Sequence, residues 1–137
     1  GFTIDAVAVT TQSEVTQALD KLLSDGVDCL SNLTDNNVVG VLPAILEKTD
    51  AAGIPVYGSE IEQVKLGCVA GAGLDYVKLG IQTGEMAARV LRGEASCRDI
   101  PYASIVDYDL YINTKALTAL GMEVPEDLTE AAVECGE

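Results

Sequence analysis

The alternation and periodicity of apolar positions divide the chain into strand–helix pairs. Residues 3–10 (TIDAVAVT) alternate and are rich in β-branched side chains, the pattern of a first strand. Val15, Ala18, Leu19, Leu22 and Leu23 then recur at helical spacing, with Thr11 or Ser13 as N-cap and Gly26 as stop signal. Residues 27–33 form the second predicted strand, ending in Thr34-Asp35-Asn36-Asn37. Val38, Val41, Leu42, Ile45 and Leu46 mark a second helix, which Pro43 is expected to kink or delay. Gly53 ends it, and residues 54–57 make a short third strand. Residues 60–66 read as one or two helical turns and residues 67–74 as a fourth strand. Gly71, Ala72 and Gly73 leave room there for close approach by a neighbouring backbone or a ligand.

A long amphipathic helix follows over residues 76–92. Leu79, Met86, Val90 and Leu91 lie on or near one face, and Gly80, Gly84 and Ala88 form a stripe of small residues. Glycine inside a helix costs roughly 1 kcal/mol, so the stripe predicts tight packing against another element. Residues 105–112 are the last predicted strand. Asn113 caps a short helix that Gly121 stops, and the acidic tail from Pro125 is expected to be helical in part. Strands alternating with helices give an α/β fold class, an open and mainly parallel sheet with helices on both faces. The common strand order 2-1-3-4-5 would set a crevice between the loops after the first and third strands.

Composition narrows the function. A chain of 137 residues, 48% of them apolar, is one domain's worth with enough material for a core. Its net charge of −14 makes nucleic acid an unsuitable partner, because only eight Lys and Arg are present and none cluster. There is no His, the commonest general base and transition-metal ligand. Four cysteines occur without any C-x-x-C, which excludes zinc-ribbon and thioredoxin-like readings. Cys29 and Cys68 fall in apolar strand patterns, where a cysteine is normally a small buried hydrophobe. Cys97 and Cys135 lie in polar segments and would pair only if their Cα atoms came within about 7 Å.

The chemical motifs thin out on inspection. Gly71-Ala72-Gly73-Leu74-Asp75-Tyr76 lacks the third glycine of a dinucleotide fingerprint. Gly58-Ser59-Glu60 is not a nucleophile elbow. Asp35-x-Asn37-x-x-Gly40 echoes a calcium loop but has Leu46 at its twelfth position. Asn32-Leu33-Thr34 matches a glycosylation sequon, which chance explains. No metal site, cofactor or catalytic set is expected, so the chain is read as non-enzymatic. What remains is polar clusters at the carboxyl ends of strands, suited to a polar zwitterion. A carboxylate from Asp35, Glu60 or Asp75 would take an ammonium, and hydroxyls and helix N-termini a carboxylate. For Asp35, Asn36 or Asp75, helix capping is at least as good an explanation.

Five ordered segments carry a resemblance: TTQSEVTQAL, LTDNNVV, IPVYGSEIEQVKLG, GLDYVKLGIQTGEMAARVLRGE and DLYINTKALTALGMEVPEDL. Together they resemble the substrate-binding protein family of ABC transporters that includes tryptophan/tyrosine-type binding lipoproteins. The resemblance implies an extracytoplasmic protein of type I periplasmic-binding-protein fold. Its two α/β lobes would close on a small ligand, an amino acid and possibly an aromatic one, and serve a transporter permease. On that reading residues 1–137 are the C-terminal lobe alone, with the N-terminal lobe and its lipid anchor outside the chain. The binding loops carried over are Thr11 and Ser13; Thr34, Asp35 and Asn36; Ser59 and Glu60; and Asp75 with Tyr76. The helix over residues 77–92 is expected to pack on the missing lobe or on a partner chain, and the surface left bare to favour self-association. Two other classes stay open: a ligand-sensing effector domain of a regulatory protein, and a flavodoxin-like enzyme domain.

Overall fold

Capping chemistry sets where each helix begins and ends. Thr11 caps α1 (Gln12–Asp25), and the Thr10 and Thr11 amides donate back to the Glu14 carboxylate at 2.7 and 3.2 Å. This reciprocal box fixes the direction from which the chain enters the helix. Gly26 closes it with φ of 80°, a left-handed conformation that favours glycine. The next helical run is broken at Val41 into α2 (Asn36–Gly40) and α3 (Leu42–Ala52). Pro43 stands in the first turn of α3, where its missing N–H leaves nothing unsatisfied. There follow α4 (Ile61–Leu66), α5 (Tyr76–Leu91), α6 (Thr114–Ala119) and α7 (Glu126–Thr129).

The structure, a computed structural model, describes residues 1–105 and 108–136. Its single described sheet has the order β1 (Leu30–Ser31), β2 (Val56–Gly58), β3 (Ala70–Gly73), β4 (Asp109–Ile112) and β5 (Ala132–Glu134). β3 and β4 pair antiparallel and the other neighbours parallel. The fold is therefore α/β with an open, mostly parallel sheet. Period-two alternation sorts the strands onto two faces. Val56 and Cys68 join Val15, Leu19, Leu42, Ile45 and Leu46 in a core under α1 and α3. Tyr57 and Val69 turn the other way, to Ile112 and Leu117 beside α6.

Three expectations fail. Residues 3–10 belong to no strand: Phe2 and Ile4 are almost fully exposed, and Val9 is the residue of this segment that packs on the core. A strand pattern becomes a strand only when a neighbour takes its backbone donors and acceptors, and none does so here. The order 2-1-3-4-5 fails with it, because β1 and β2 pair directly, Leu30 opposite Val56, with nothing between them. The crevice expected between the loops after residues 3–10 and after β2 is replaced by direct adjacency of the loops after β1 and β2. Cys29, expected to be buried, is exposed because it leads into an edge strand, whereas Cys68 is fully buried. All four cysteines are free, Cys97 and Cys135 included. Strand β5 and helix α7 come from the tail, where residues 132–134 pair with β4. The last strand is shorter than expected, and residues 106 and 107 of that prediction lie outside the described residues.

The small residues of β3 do what their size predicts, toward a neighbour. A Cβ on Gly71 would lie 2.9 Å from the Gly58 carbonyl oxygen and 3.1 Å from Val64 Cγ2. Gly71→Ala must therefore push β2 from β3, and a loss of about 2–3 kcal/mol in denaturant unfolding is expected. A midpoint within error of the parent would refute the contact. Asn113 does two things at once: it caps α6 through the Ala116 amide at 2.9 Å, and its Nδ2 donates to the buried Val64 carbonyl at 3.0 Å. Asn113→Ala is expected to cost about 2 kcal/mol, read in the same unfolding experiment.

Candidate functional site

Strands β1, β2 and β3 run parallel, so their carboxyl ends lie at one edge of the sheet. From that edge leave the loops that start α2, α4 and α5. The nearest approach is between hydroxyls: Thr34 Oγ1 and Ser59 Oγ are 2.8 Å apart and join the loops after β1 and β2. Gly73, at the end of β3, is held against the next loop, since a Cβ there would sit 3.0 Å from Glu60 Cα. Thr34, Ser59, Glu60 and the exit of β3 toward Asp75 thus form one continuous rim. Thr11 and Ser13 stand apart from it. Their hydroxyls pair with each other at 3.1 Å, and Gln12 between them lies over Gly40 at the far end of α2.

Each candidate carboxylate is a helix cap. Asp35 Oδ1 accepts the Asn37 and Val38 amides at 2.8 and 3.2 Å. Glu60, 8% exposed, uses both oxygens, accepting Glu62 N–H at 2.9 Å and Gln63 N–H at 2.8 Å. Asp75 Oδ1 accepts from Val77 and Lys78 at 2.8 and 3.0 Å, while Lys78 Nζ lies 3.6 Å from Oδ2. The three carboxylates therefore differ in what they have left. Glu60 has no uncommitted oxygen, Asp75 shares its second with a lysine, and Asp35 Oδ2 takes no hydrogen bond among the described residues. Asn36 and Tyr76 are exposed beside their caps.

Two features escaped sequence reasoning. Gln63, fully buried, accepts the Ser59 amide on Oε1 at 3.2 Å, and its Nε2 lies 3.5 Å from Ser59 Oγ, so it orients the loop. The signal was its place three residues after a carboxylate cap, where the side chain turns back over the helix start. Lys78 bridges Asp75 and Asp109, at 3.6 and 3.4 Å, across the point where the chain leaves β3 and returns to β4. The Asp109 hydrogen bond and charge raise the Lys78 pKa. Burial, with the Glu60 charge adding to it, pushes the Cys68 thiol up to about 12. The sequon is inaccessible in this fold, because Asn32 Nδ2 is buried, without a hydrogen-bond partner among the described residues. Cavities of about 260 and 180 Å³ lie elsewhere, one along α5 and one beside α6, and no candidate residue lines either. The rim is an open floor. Among the described residues no cluster of metal-ligating side chains occurs, and no helix is long and apolar enough to cross a membrane.

Residues 1–135 match the family described as ABC transporter substrate binding protein. The chain belongs to that family. Its members bind substrates and are non-enzymatic. It is 37% identical over 115 residues to a tyrosine-binding protein of Clostridioides difficile, covering 84% of this chain and 33% of that one. An ABC domain in complex with L-Trp from Streptococcus pneumoniae superposes with a TM-score of 0.83 at 27% identity, over 98% of this chain and 45% of the other. A ligand-free, open substrate-binding protein with adhesive properties from Clostridium difficile gives 0.71 at 37% identity, over 92% and 42%. The chain thus spans between a third and a half of these relatives, the extent of one lobe.

The Asp75 cap has a testable pH dependence. The Lys78 amide above all, then the Val77 amide and the Lys78 charge, hold the Asp75 carboxyl below its usual range. A depressed folded pKa means that the cap's contribution is fully present above the ordinary aspartate range and is lost as pH falls through the lowered value. Thermal melts across acid pH should show the parent losing stability in that window relative to Asp75→Asn. Parallel curves for the two proteins would refute it.

Proposed function

We propose that this chain is one lobe of the extracytoplasmic solute-binding component of an ABC importer. Its ligand is an amino acid with an aromatic side chain, held between this lobe and a second one. The observation that carries the reading is the single rim built by the loops after β1, β2 and β3 and pinned by the Thr34–Ser59 hydroxyl pair. Membership of the family, likeness to a relative named as tyrosine-binding and likeness to a structure in complex with L-Trp support it.

Within the rim the roles follow from what each group has free. Asp35 Oδ2 is the uncommitted carboxylate oxygen and takes the ligand's ammonium, with Thr34 and Ser59 beside it as hydroxyl partners. Glu60 and Gln63 act behind them, shaping the loop that presents Ser59. Asn36 and Tyr76 line the approach, and Thr11 and Ser13 stay outside the rim. Helix α5 has no buried residue, and it exposes Val77, Ile81 and Leu91 with open space beside Gly80 and Gly84. That apolar face is the contact for the second lobe.

Isothermal calorimetry of the full-length receptor with L-tyrosine and L-tryptophan tests the reading. Saturable binding of either is expected, weakened about tenfold or more by Asp35→Asn and by Ser59→Ala. The 137-residue lobe alone should bind about a hundredfold more weakly or worse, because a closed cleft draws its contacts from both sides. A full-length protein that binds neither amino acid overturns the aromatic assignment. Unchanged affinity in Asp35→Asn moves the ammonium elsewhere.

A further inference from the structure

Two carboxylates at the rim edge already hold an ammonium, and it belongs to the chain itself. Lys78 Nζ lies 3.6 Å from Asp75 Oδ2 and 3.4 Å from Asp109 Oδ2. Gly73 pairs with Asp109 across the antiparallel ladder, so the start of β4 stands at the same sheet edge as the loops after β1, β2 and β3. Asp75 brings one oxygen to this bridge, because its Oδ1 is held by the Val77 and Lys78 amides. Without the lysine, Asp75 Oδ2 and the Asp109 carboxylate would share the place with no cation between them, an arrangement that draws one in. All three side chains keep contact with solvent, so a dissolved ammonium can reach the same oxygens.

Spacing sets what such a ligand must look like. Neighbouring strands lie about 4.8 Å apart, which puts the loops after β1 and β3 on the order of 10 Å from each other. A ligand whose first ammonium rests on Asp35 Oδ2 reaches Asp75 only if a second ammonium follows on a chain of several carbons. Basic amino acids such as L-lysine have that form. L-tyrosine and L-tryptophan carry one ammonium and no second cation.

We propose that Lys78 is a specificity-determining residue: its ammonium occupies the Asp75–Asp109 pair as a built-in competitor, turns basic amino acids away from the rim and leaves Asp35 as the ammonium site. This role rests on the amino-acid reading of the rim given above and adds what the rim rejects. Rejection has two parts. The oxygens are taken, and a ligand's side-chain ammonium would also meet the Lys78 charge at close range. An exposed ion pair contributes little to stability, so it can act on the choice of ligand without being needed for the fold.

Calorimetry of the full-length receptor with L-lysine, and separately with L-tyrosine and L-tryptophan, tests this. The parent should bind L-lysine weakly or not at all. Lys78→Met keeps a long side chain and removes the charge, and is expected to bind L-lysine about tenfold or more tightly than the parent does. Lys78→Arg, which keeps the cation, should reject L-lysine as the parent does. Lys78→Met combined with Asp75→Asn, which retains a cap for α5 without the charge, should lose the gain. A lysine that only tied the chain crossing together would leave L-lysine affinity unmoved in all three. No gain in Lys78→Met overturns the assignment, as does a parent that already binds L-lysine as tightly as the variant, or a gain that survives loss of the Asp75 charge. The aromatic arm is read separately. A receptor that binds neither L-tyrosine nor L-tryptophan, yet gains L-lysine through Lys78→Met, supports the role of Lys78 and overturns the aromatic assignment alone.

Discussion

Every helix leaving a sheet edge begins with amide groups that have no partner within the helix. In this lobe the need is met by Asp35, Glu60 and Asp75, each accepting two backbone N–H groups at the start of α2, α4 or α5. The same atoms that start the helices therefore line the rim where a ligand would rest. Any recognition at this rim would draw on the same carboxylate oxygens that capping uses, so what is left after capping decides which residue has an acceptor to offer. By that measure Glu60 is structural, Asp75 is half committed and Asp35 is available. Charge alone would have ranked them equally.

The parts of the fold legible in the sequence are those fixed within a few residues. Caps at Thr11, Asp35, Asp75 and Asn113, the left-handed stops at Gly26 and Gly53, and the break just before Pro43 depend on neighbours in the chain. Strand identity depends on neighbours in space. Residues 3–10 carry a strand pattern yet pair with nothing, while residues 132–134, with a weaker pattern, pair with β4. The candidate site divides in the same way. The polar clusters after β1, β2 and β3 mark the loops that meet at the rim, while Thr11 and Ser13 follow no strand and stand apart from it. The support of Ser59 by Gln63, and the bridging of Asp75 and Asp109 by Lys78, require knowing which way side chains turn and which strands adjoin.

Between Gly73 and Asp109, which face each other across the antiparallel β3–β4 ladder, the chain makes one long excursion that includes α5. Lys78 ties it at its base, and α5 exposes Val77, Ile81 and Leu91 along it.

The buried thiol of Cys68 has a practical consequence. With its pKa pushed up to about 12 and no solvent contact, it cannot present a thiolate to an alkylating reagent at neutral pH. Cys29 and Cys97 are exposed and will be modified first. Once they are blocked, any further labelling at Cys68 records an opening of the core between α3 and the sheet.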